Sequence, residues 1–245
     1  MTLRPEQDAY GQMLLAALDG AEVQEIVERD DGFITASVFG PTLYLAPFRR
    51  WPSHHRRGMR FVRGRVLDVG AGGGRVALHL QERGHDVVAV DISPGAIEGC
   101  RRRGVRDARV LSVEEVDESL GTFDTIVMYG NNFGLFASRA KAKRLLRRFA
   151  RLTSERGRIV AETRDVHQGA DPAHVRYRRR NVERGRLPGQ IRIRVRYRDL
   201  ATPWFDYLMV GREELRELLA GTGWTLERTI DSDDVYVAVI GKESR

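Results

Sequence analysis

Five consecutive small residues, Gly70 to Gly74, separate the apolar run Val66–Val69 from an amphipathic stretch that begins at Arg75. Glycine inside an ordered element costs about 0.5–1 kcal/mol relative to alanine, so this run marks a backbone that turns tightly or lets a bound molecule approach closely. A buried strand, a glycine turn and a helix in that order open a βαβ unit, which restricts the fold more than any other feature of the chain.

The alternation continues from Arg65 to about Arg164. Strands are predicted at Val66–Val69, Val87–Asp91, Arg109–Ser112, Thr125–Tyr129 and Arg158–Thr163, with helices between them at Gly73–Arg83, Pro94–Arg103 and Ser138–Ser154. The last helix carries Ala142, Leu145, Leu146, Phe149 and Leu152 on one face and basic residues over most of the other. Residues 165–187 then read as polar, Arg-rich and turn-rich. "IRIRVRYRD" follows with strict period-two alternation: Ile191, Ile193, Val195 and Tyr197 on one face, Arg192, Arg194, Arg196 and Arg198 on the other. That arginine face calls for water or something acidic over it. "TPWFDYLMV" reads as the antiparallel partner of that strand, Arg212–Ala220 as a helix, and "WTLERTID" and "DVYVAVIG" as closing strands. Upstream, Leu3–Leu18 reads as a helix, "EIVERDDGFITASVF" as a hairpin turning at Asp31-Gly32, and Trp51–Phe61 as a short helix.

Composition narrows the class. A chain of 245 residues with 42% hydrophobic content can bury one sizeable core, and no run approaches the ~18 apolar residues of a membrane span. The N-terminal stretch has acidic residues on both sides of a short apolar segment, unlike a signal peptide, so the cytoplasm is expected. The single cysteine, Cys100, excludes an intramolecular disulfide, and no Cys/His spacing suggests zinc, so no metal is expected. The net charge of +7 would suit an anionic partner, yet only Lys141, Lys143 and Lys242 are lysines, an arginine bias also expected of a GC-rich coding sequence.

The glycine loop discriminates between ligands. A dinucleotide fingerprint, G-x-G-x-x-G, would need its third glycine at position 75, which is Arg75. What stands here is D-x-G-x-G-x-G from Asp68 to Gly74, and with it the chain resembles the class I S-adenosylmethionine (SAM)-dependent methyltransferases. The resemblance implies a doubly wound α/β fold: a mainly parallel seven-stranded sheet with an antiparallel closing strand and helices on both faces. It also implies an N-terminal lid segment (residues 1–62), a SAM-binding core (63–245) and a β-rich substrate-cap insertion after the fifth strand, at about 165–210.

SAM as cofactor, with S-adenosylhomocysteine as product, assigns roles by position. Gly70, Ala71, Gly72 and Gly74 would lie against its methionyl and ribose parts, Asp68 would organise the loop or reach the amino group, and Arg75 would meet the carboxylate. Asp91 ends its strand seventeen residues beyond Gly74, where the family holds a carboxylate that accepts both ribose hydroxyls; Ile92 would pack on the adenine. The chain departs from the family at the adenine position, where many relatives carry an Asp-Ala pair and this chain has Ser112 and Val113. "FDTIVMYGNNFGLF" matches again and makes Tyr129 and Gly130 cofactor neighbours.

Methyl transfer from a sulfonium needs an aligned nucleophile, dry surroundings and, for a protonated acceptor, a base. His54, His55 and His167 are the candidate bases. Tyr44, Phe48, Trp51, Asn131, Asn132, Phe133, Arg164, Trp204, Phe205 and Tyr207 are the candidate acceptor-binding residues, and their aromatic character suggests a small aromatic or heterocyclic acceptor methylated at oxygen or nitrogen, as in secondary metabolism. The alternative is an RNA methyltransferase that uses the Arg-rich insertion on backbone phosphates; a SAM-binding protein without transferase activity is a third reading. No membrane partner is expected, and the chain is expected to be a monomer or a homodimer.

Overall fold

Val66–Val69 and Val87–Val90 are buried without a break, the pattern of strands covered on both faces. In chain order the strands of the computed structural model are β1 (Glu25–Arg29), β2 (Ile34–Ser37), β3 (Val66–Val69), β4 (Val87–Asp91), β5 (Asp107–Val110), β6 (Phe123–Met128), β7 (Thr153–Arg164), β8 (Gln190–Tyr197), β9 (Leu200–Ala201), β10 (Phe205–Leu208), β11 (Trp224–Ser232) and β12 (Val235–Lys242). The helices are α1 (Ala9–Leu18), α2 (Gly40–Tyr44), α3 (Ser53–Gly58), α4 (Arg75–Glu82), α5 (Pro94–Arg102), α6 (Arg139–Arg151), α7 (Pro172–Glu183) and α8 (Arg212–Leu219). The structure describes residues 3–37, 40–169 and 171–243. The seven-stranded, mainly parallel sheet expected from the sequence is present. The chain divides into unit 1 (Met1–Pro52, Val66–Val116, Ile193–Phe205) and unit 2 (Ser53–Arg65, Asp117–Arg192, Asp206–Arg245).

Unit 1 holds the parallel strands β3, β4 and β5, with Val66 opposite Val87 and Val88 opposite Asp107. α4 buries Val76, Ala77 and Leu80, and α5 buries Ala96, Ile97 and Cys100. β5 starts two residues before the expected Arg109–Ser112, because its register ends with Val110 opposite Asp91. α4 starts at Arg75 and not at Gly73, since Gly74 is left-handed (φ +74°) and serves as the residue before the helix.

Unit 1 also contains a small antiparallel sheet. β1 and β2 form the expected hairpin, closed by Arg29 N–H to Phe33 C=O at 2.8 Å with Gly32 left-handed; Val38 and Phe39 lie outside the described residues. β1 then pairs with β8, Glu28 standing opposite Arg194. Glu28 is the acidic cover that the arginine face calls for: it meets Arg194 at 2.8 Å and Arg196 at 3.2 Å. The N-terminal segment and the strand of the insertion thus build one sheet.

In unit 2, β6 and β7 run parallel, and β12 pairs antiparallel with both β7 and β11. Ser138 caps α6 by accepting from Lys141 N–H, and the helix buries Ala142, Leu145, Leu146 and Phe149. It ends at Arg151, short of the expected Ser154, where the Thr153 hydroxyl bonds back to the Phe149 carbonyl and β7 begins. The stretch that reads as turn-rich contains α7, a twelve-residue helix capped by the Asp171 carboxylate on the Ala173 and His174 amides. Only Tyr177 and Asn181 of it are buried, so it has no apolar stripe for periodicity to detect. Among the described residues no helix is long and apolar enough to cross a membrane.

Candidate functional site

In unit 1 the glycine loop is held from three sides. Gly70, Gly72 and Gly74 have φ of +71°, +53° and +74°, a region that costs other L-residues about 1–2 kcal/mol. The Gly72 amide donates to the Asp91 carboxylate at 2.9 Å, and the Cys100 thiol donates to the Gly72 carbonyl at 3.1 Å. Arg103 donates to the Gly73 carbonyl and, at 3.2 Å, to that of Leu45. Burial pushes the Cys100 thiol far above its usual range, so it stays protonated as a donor.

Asp68 is buried beneath this loop. One carboxylate oxygen accepts from the amide of Ala77, in the first turn of α4, where backbone donors lack helical partners. Its Oδ2 is buried with no hydrogen-bond partner. Burial raises Asp68 to about 7, against the lowering effect of Arg75 and Ala77. Asp91, at the end of β4, is raised to about 6 by burial, opposed by the amides of Ser93 and Gly72. Arg75 lies 4.8 Å from the centre of the Trp51 ring, whose indole N–H donates to the Ala46 carbonyl at 2.8 Å. Ile92 stays 38% exposed, an apolar side chain left in the open beside Asp91. Ala71 is buried. Ser112 forms a turn, accepting from the Glu114 amide and donating its own amide to Glu115, with Val113 half-buried within it.

The N-terminal helix completes this half. Asp8 is buried and accepts from Gly11 N–H (3.1 Å), Ser93 Oγ (2.6 Å) and Gly95 N–H (2.7 Å), so one carboxylate caps α1 and the start of α5 together. The Tyr10 hydroxyl sits 2.7 Å from where a Cβ on Gly72 would be. Tyr10 packs edge-on against Tyr44, which bonds Glu25 at 2.9 Å. Phe48 stacks on His79 at 3.9 Å. Asp8, Tyr10 and Cys100 are the residues sequence reasoning missed here; the only signal was an Asp before an apolar helical run.

In unit 2 the organising residue is Glu162, which sequence reasoning also missed. It is buried on β7. Its Oε2 accepts the amides of Gly130 (2.5 Å) and Asn131 (3.1 Å), and its Oε1 faces His55 Nε2 at 2.8 Å and His54 Nε2 at 3.5 Å. Burial by itself would raise this carboxyl; the two imidazoles and the loop amide hold it well below the usual range. The Tyr207 hydroxyl donates to the Asn131 carbonyl at 2.6 Å. The Gly130–Asn131 turn is therefore clamped by Glu162 on its amides and by Tyr207 on a carbonyl, which holds Asn131 left-handed (φ +60°) with Oδ1 buried and unpartnered. Tyr129 is buried, its hydroxyl 3.5 Å from the His55 carbonyl.

Other expected residues have different surroundings. His167 is exposed and meets Glu214 at 2.5 Å. Arg164 pairs with Asp234 at 2.7 Å. Phe133, expected as a wall, is fully buried against Phe136 in the core, because it faces inward from the helical turn that starts at Asn132. Trp204 lies under the Arg194 guanidinium, and Phe205 is half-buried at the start of β10.

Residues 66–157 match a family model described as a methyltransferase domain. A crystal structure of a SAM-dependent methyltransferase from Bacteroides fragilis in complex with S-adenosyl-L-homocysteine superposes with a TM-score of 0.83 at 26% identity, covering 100% of this chain and 98% of that one. A glycine/sarcosine N-methyltransferase from Parasynechococcus marenigrum is 26% identical over 204 residues, 74% of this chain and 72% of its own. A ubiquinone biosynthesis O-methyltransferase from Xanthomonas oryzae pv. oryzae is 38% identical over 68 residues, which are 25% of this chain; the match spans 28% of that protein's length. The D-x-G-x-G-x-G loop, tied to the acid at the end of the next strand, lies within the stretch that matches the methyltransferase domain, in a fold shared along its whole length with a SAM-dependent methyltransferase.

Proposed function

We propose that this chain catalyses methyl transfer from SAM to an oxygen or nitrogen of a small molecule. The observation that carries the reading is the Gly72–Asp91 hydrogen bond, which links the glycine loop to the strand-end carboxylate. In this reading Asp91 accepts both ribose hydroxyls, Ile92 covers the adenine with Ser112 and Val113 beside it, and the buried, unpartnered oxygen of Asp68 receives the ammonium group of the methionyl part. Arg75, steadied on Trp51, meets the carboxylate, while Gly70, Ala71, Gly72 and Gly74 let the methionyl and ribose parts approach the backbone. SAM supplies an already activated methyl group, so what remains for the protein is to align the acceptor and exclude water.

Acceptor binding is assigned, within unit 2, to the clamped turn after β6. The unpartnered Asn131 Oδ1 offers an acceptor to a substrate N–H or O–H, with Tyr129, Gly130 and Tyr207 around it. The first curated relatives are named for methylating small molecules, at O in one case and at N in the other. The RNA reading is disfavoured by the state of its arginines: Arg194 and Arg196 pair with Glu28, Arg179 pairs with Glu183, and Arg178 donates to the carbonyls of Val166 and Gly169. We place this activity in the cytoplasm, with the chain acting as a monomer or homodimer.

The test is calorimetric titration with SAM and, separately, NADH, followed by transfer assays with methyl-labelled SAM on phenols, N-heterocycles, amino acids and bulk RNA. Micromolar SAM binding that is lost in Asp91→Ala, with label entering a small acceptor, supports the reading. Label appearing in RNA alone would replace it with the RNA alternative.

A further inference from the structure

We infer that His54, His55 and Glu162 bind a first-row divalent cation of the zinc type, with two imidazoles and one carboxylate as ligands. This goes beyond the methyl-transfer reading and does not depend on it.

Consecutive residues of a helix point about 100° apart and do not face one another. Yet the rings of His54 and His55 converge, with centroids 4.4 Å apart, and both present Nε2 to the same oxygen of Glu162. One ligand atom from each of the three residues lies within 4.8 Å of the others, and all three residues are buried, at 6%, 1% and 4% exposure. Ligands of a tetrahedral ion with bonds of 2.0–2.2 Å stand about 3.4 Å apart. His54 to Glu162 already has that spacing at 3.5 Å; His55, at 2.8 Å, has to open by about half an ångström, which a small side-chain rotation supplies.

Electrostatics point the same way. Glu162 is a buried carboxylate whose partners are two backbone amides and two imidazoles; no Lys or Arg among the described residues pairs with it. A buried anion needs a compensating positive charge, which a protonated imidazole of the pair or a divalent cation between Oε1 and the two rings supplies. The amides of Gly130 and Asn131 fix Oε2 and so aim Oε1 at the rings, the outer-shell support expected of a ligating carboxylate. His54 Nδ1 is buried without a hydrogen-bond partner, so the only hydrogen bond of this ring is the Nε2 contact to Glu162 Oε1. Two imidazoles and a carboxylate suit zinc, iron, cobalt or nickel and do not suit magnesium or calcium, which take all-oxygen sets. Three protein ligands leave the ion an open position.

The experiment uses the full chain, stripped with a chelator, dialysed and titrated with Zn²⁺ alone, with bound metal counted by mass spectrometry. One equivalent is expected to bind at micromolar or tighter Kd, with affinity reduced at least about tenfold in Glu162→Gln and His55→Ala and unchanged in His174→Ala. Co²⁺ loading is expected to give the visible absorption of a four-coordinate ion in the wild-type chain only. His54→Gln leaves the bonds from Glu162 to the turn in place and stands in if Glu162→Gln fails to fold by circular dichroism. Absence of stoichiometric binding to folded wild-type chain, or equal binding by the folded variants, would overturn the proposal and leave a cluster held by the His54 hydrogen bond and the His55 ion pair to Oε1. The titration contains no SAM, so its failure is distinct from failure of the methyl-donor reading.

Discussion

The amide of Gly72 donates to the carboxylate of Asp91 at 2.9 Å, joining the glycine loop after β3 to the end of β4. Asp91 is raised to about 6 and Asp68 to about 7, each mainly by burial. Both shifts are upward, so without SAM their stabilising contribution is complete below the usual carboxylate value of 3.8 and is lost as pH rises through about 6 to 7. SAM binding has the opposite sign, because ribose hydroxyls and an ammonium group call for ionised carboxylates. SAM affinity is expected to rise between about pH 5 and about pH 7, with a shallower slope in Asp91→Asn that retains only the Asp68 contribution. Calorimetry across that range checks it, and identical slopes would remove Asp91 from the donor site.

Gly72→Ala meets two obstacles, a left-handed backbone and the Tyr10 hydroxyl 2.7 Å from the added carbon. The backbone cost is about 1–2 kcal/mol. The collision involves the far end of a side chain and can relax. Tyr10→Phe in the Gly72→Ala background is expected to restore part of the lost thermal stability but not all of it. Full recovery would show that the left-handed backbone carries no cost here.

Asp8→Ala strips the Gly11 and Gly95 amides and the Ser93 hydroxyl of one buried acceptor. Each unsatisfied buried group costs about 1–3 kcal/mol, and a domain of this size loses about 2–4 °C per kcal/mol. A melting temperature lower by at least about 4 °C is expected, together with faster hydrogen exchange in α1. A change below about 1 °C would mean that α1 is held by its apolar contacts alone.

Tyr207→Phe removes the hydroxyl that donates to the Asn131 carbonyl at 2.6 Å and leaves the ring that packs against Gly134. Loosening the carbonyl side of the turn is expected to raise KM for the methyl acceptor several-fold while KM for SAM stays constant. Equal rises in both constants would show a general structural defect.

The α/β frame was legible because strands buried on both faces read as continuous apolar runs and amphipathic helices repeat at 3.6 residues. The glycine-loop motif was legible because Asp68, the glycines and Asp91 are set by one strand–loop–helix–strand unit, whose geometry is local. Where local signals were weak, the reading failed at particular places: α7 lacks an apolar stripe, and Phe133, one position past an exposed-looking "NN", turned into the core. Only the tertiary structure could bring Glu162 to His54 and His55 across 108 residues of chain, or dock Asp8 on Ser93 and Gly95. A glutamate within "IVAET" reads as one polar position in a buried strand. Its role exists only where sheet pairing and the turn after β6 deliver two amides and two imidazoles to its carboxylate, and contacts at such sequence separation leave no period or spacing in the chain.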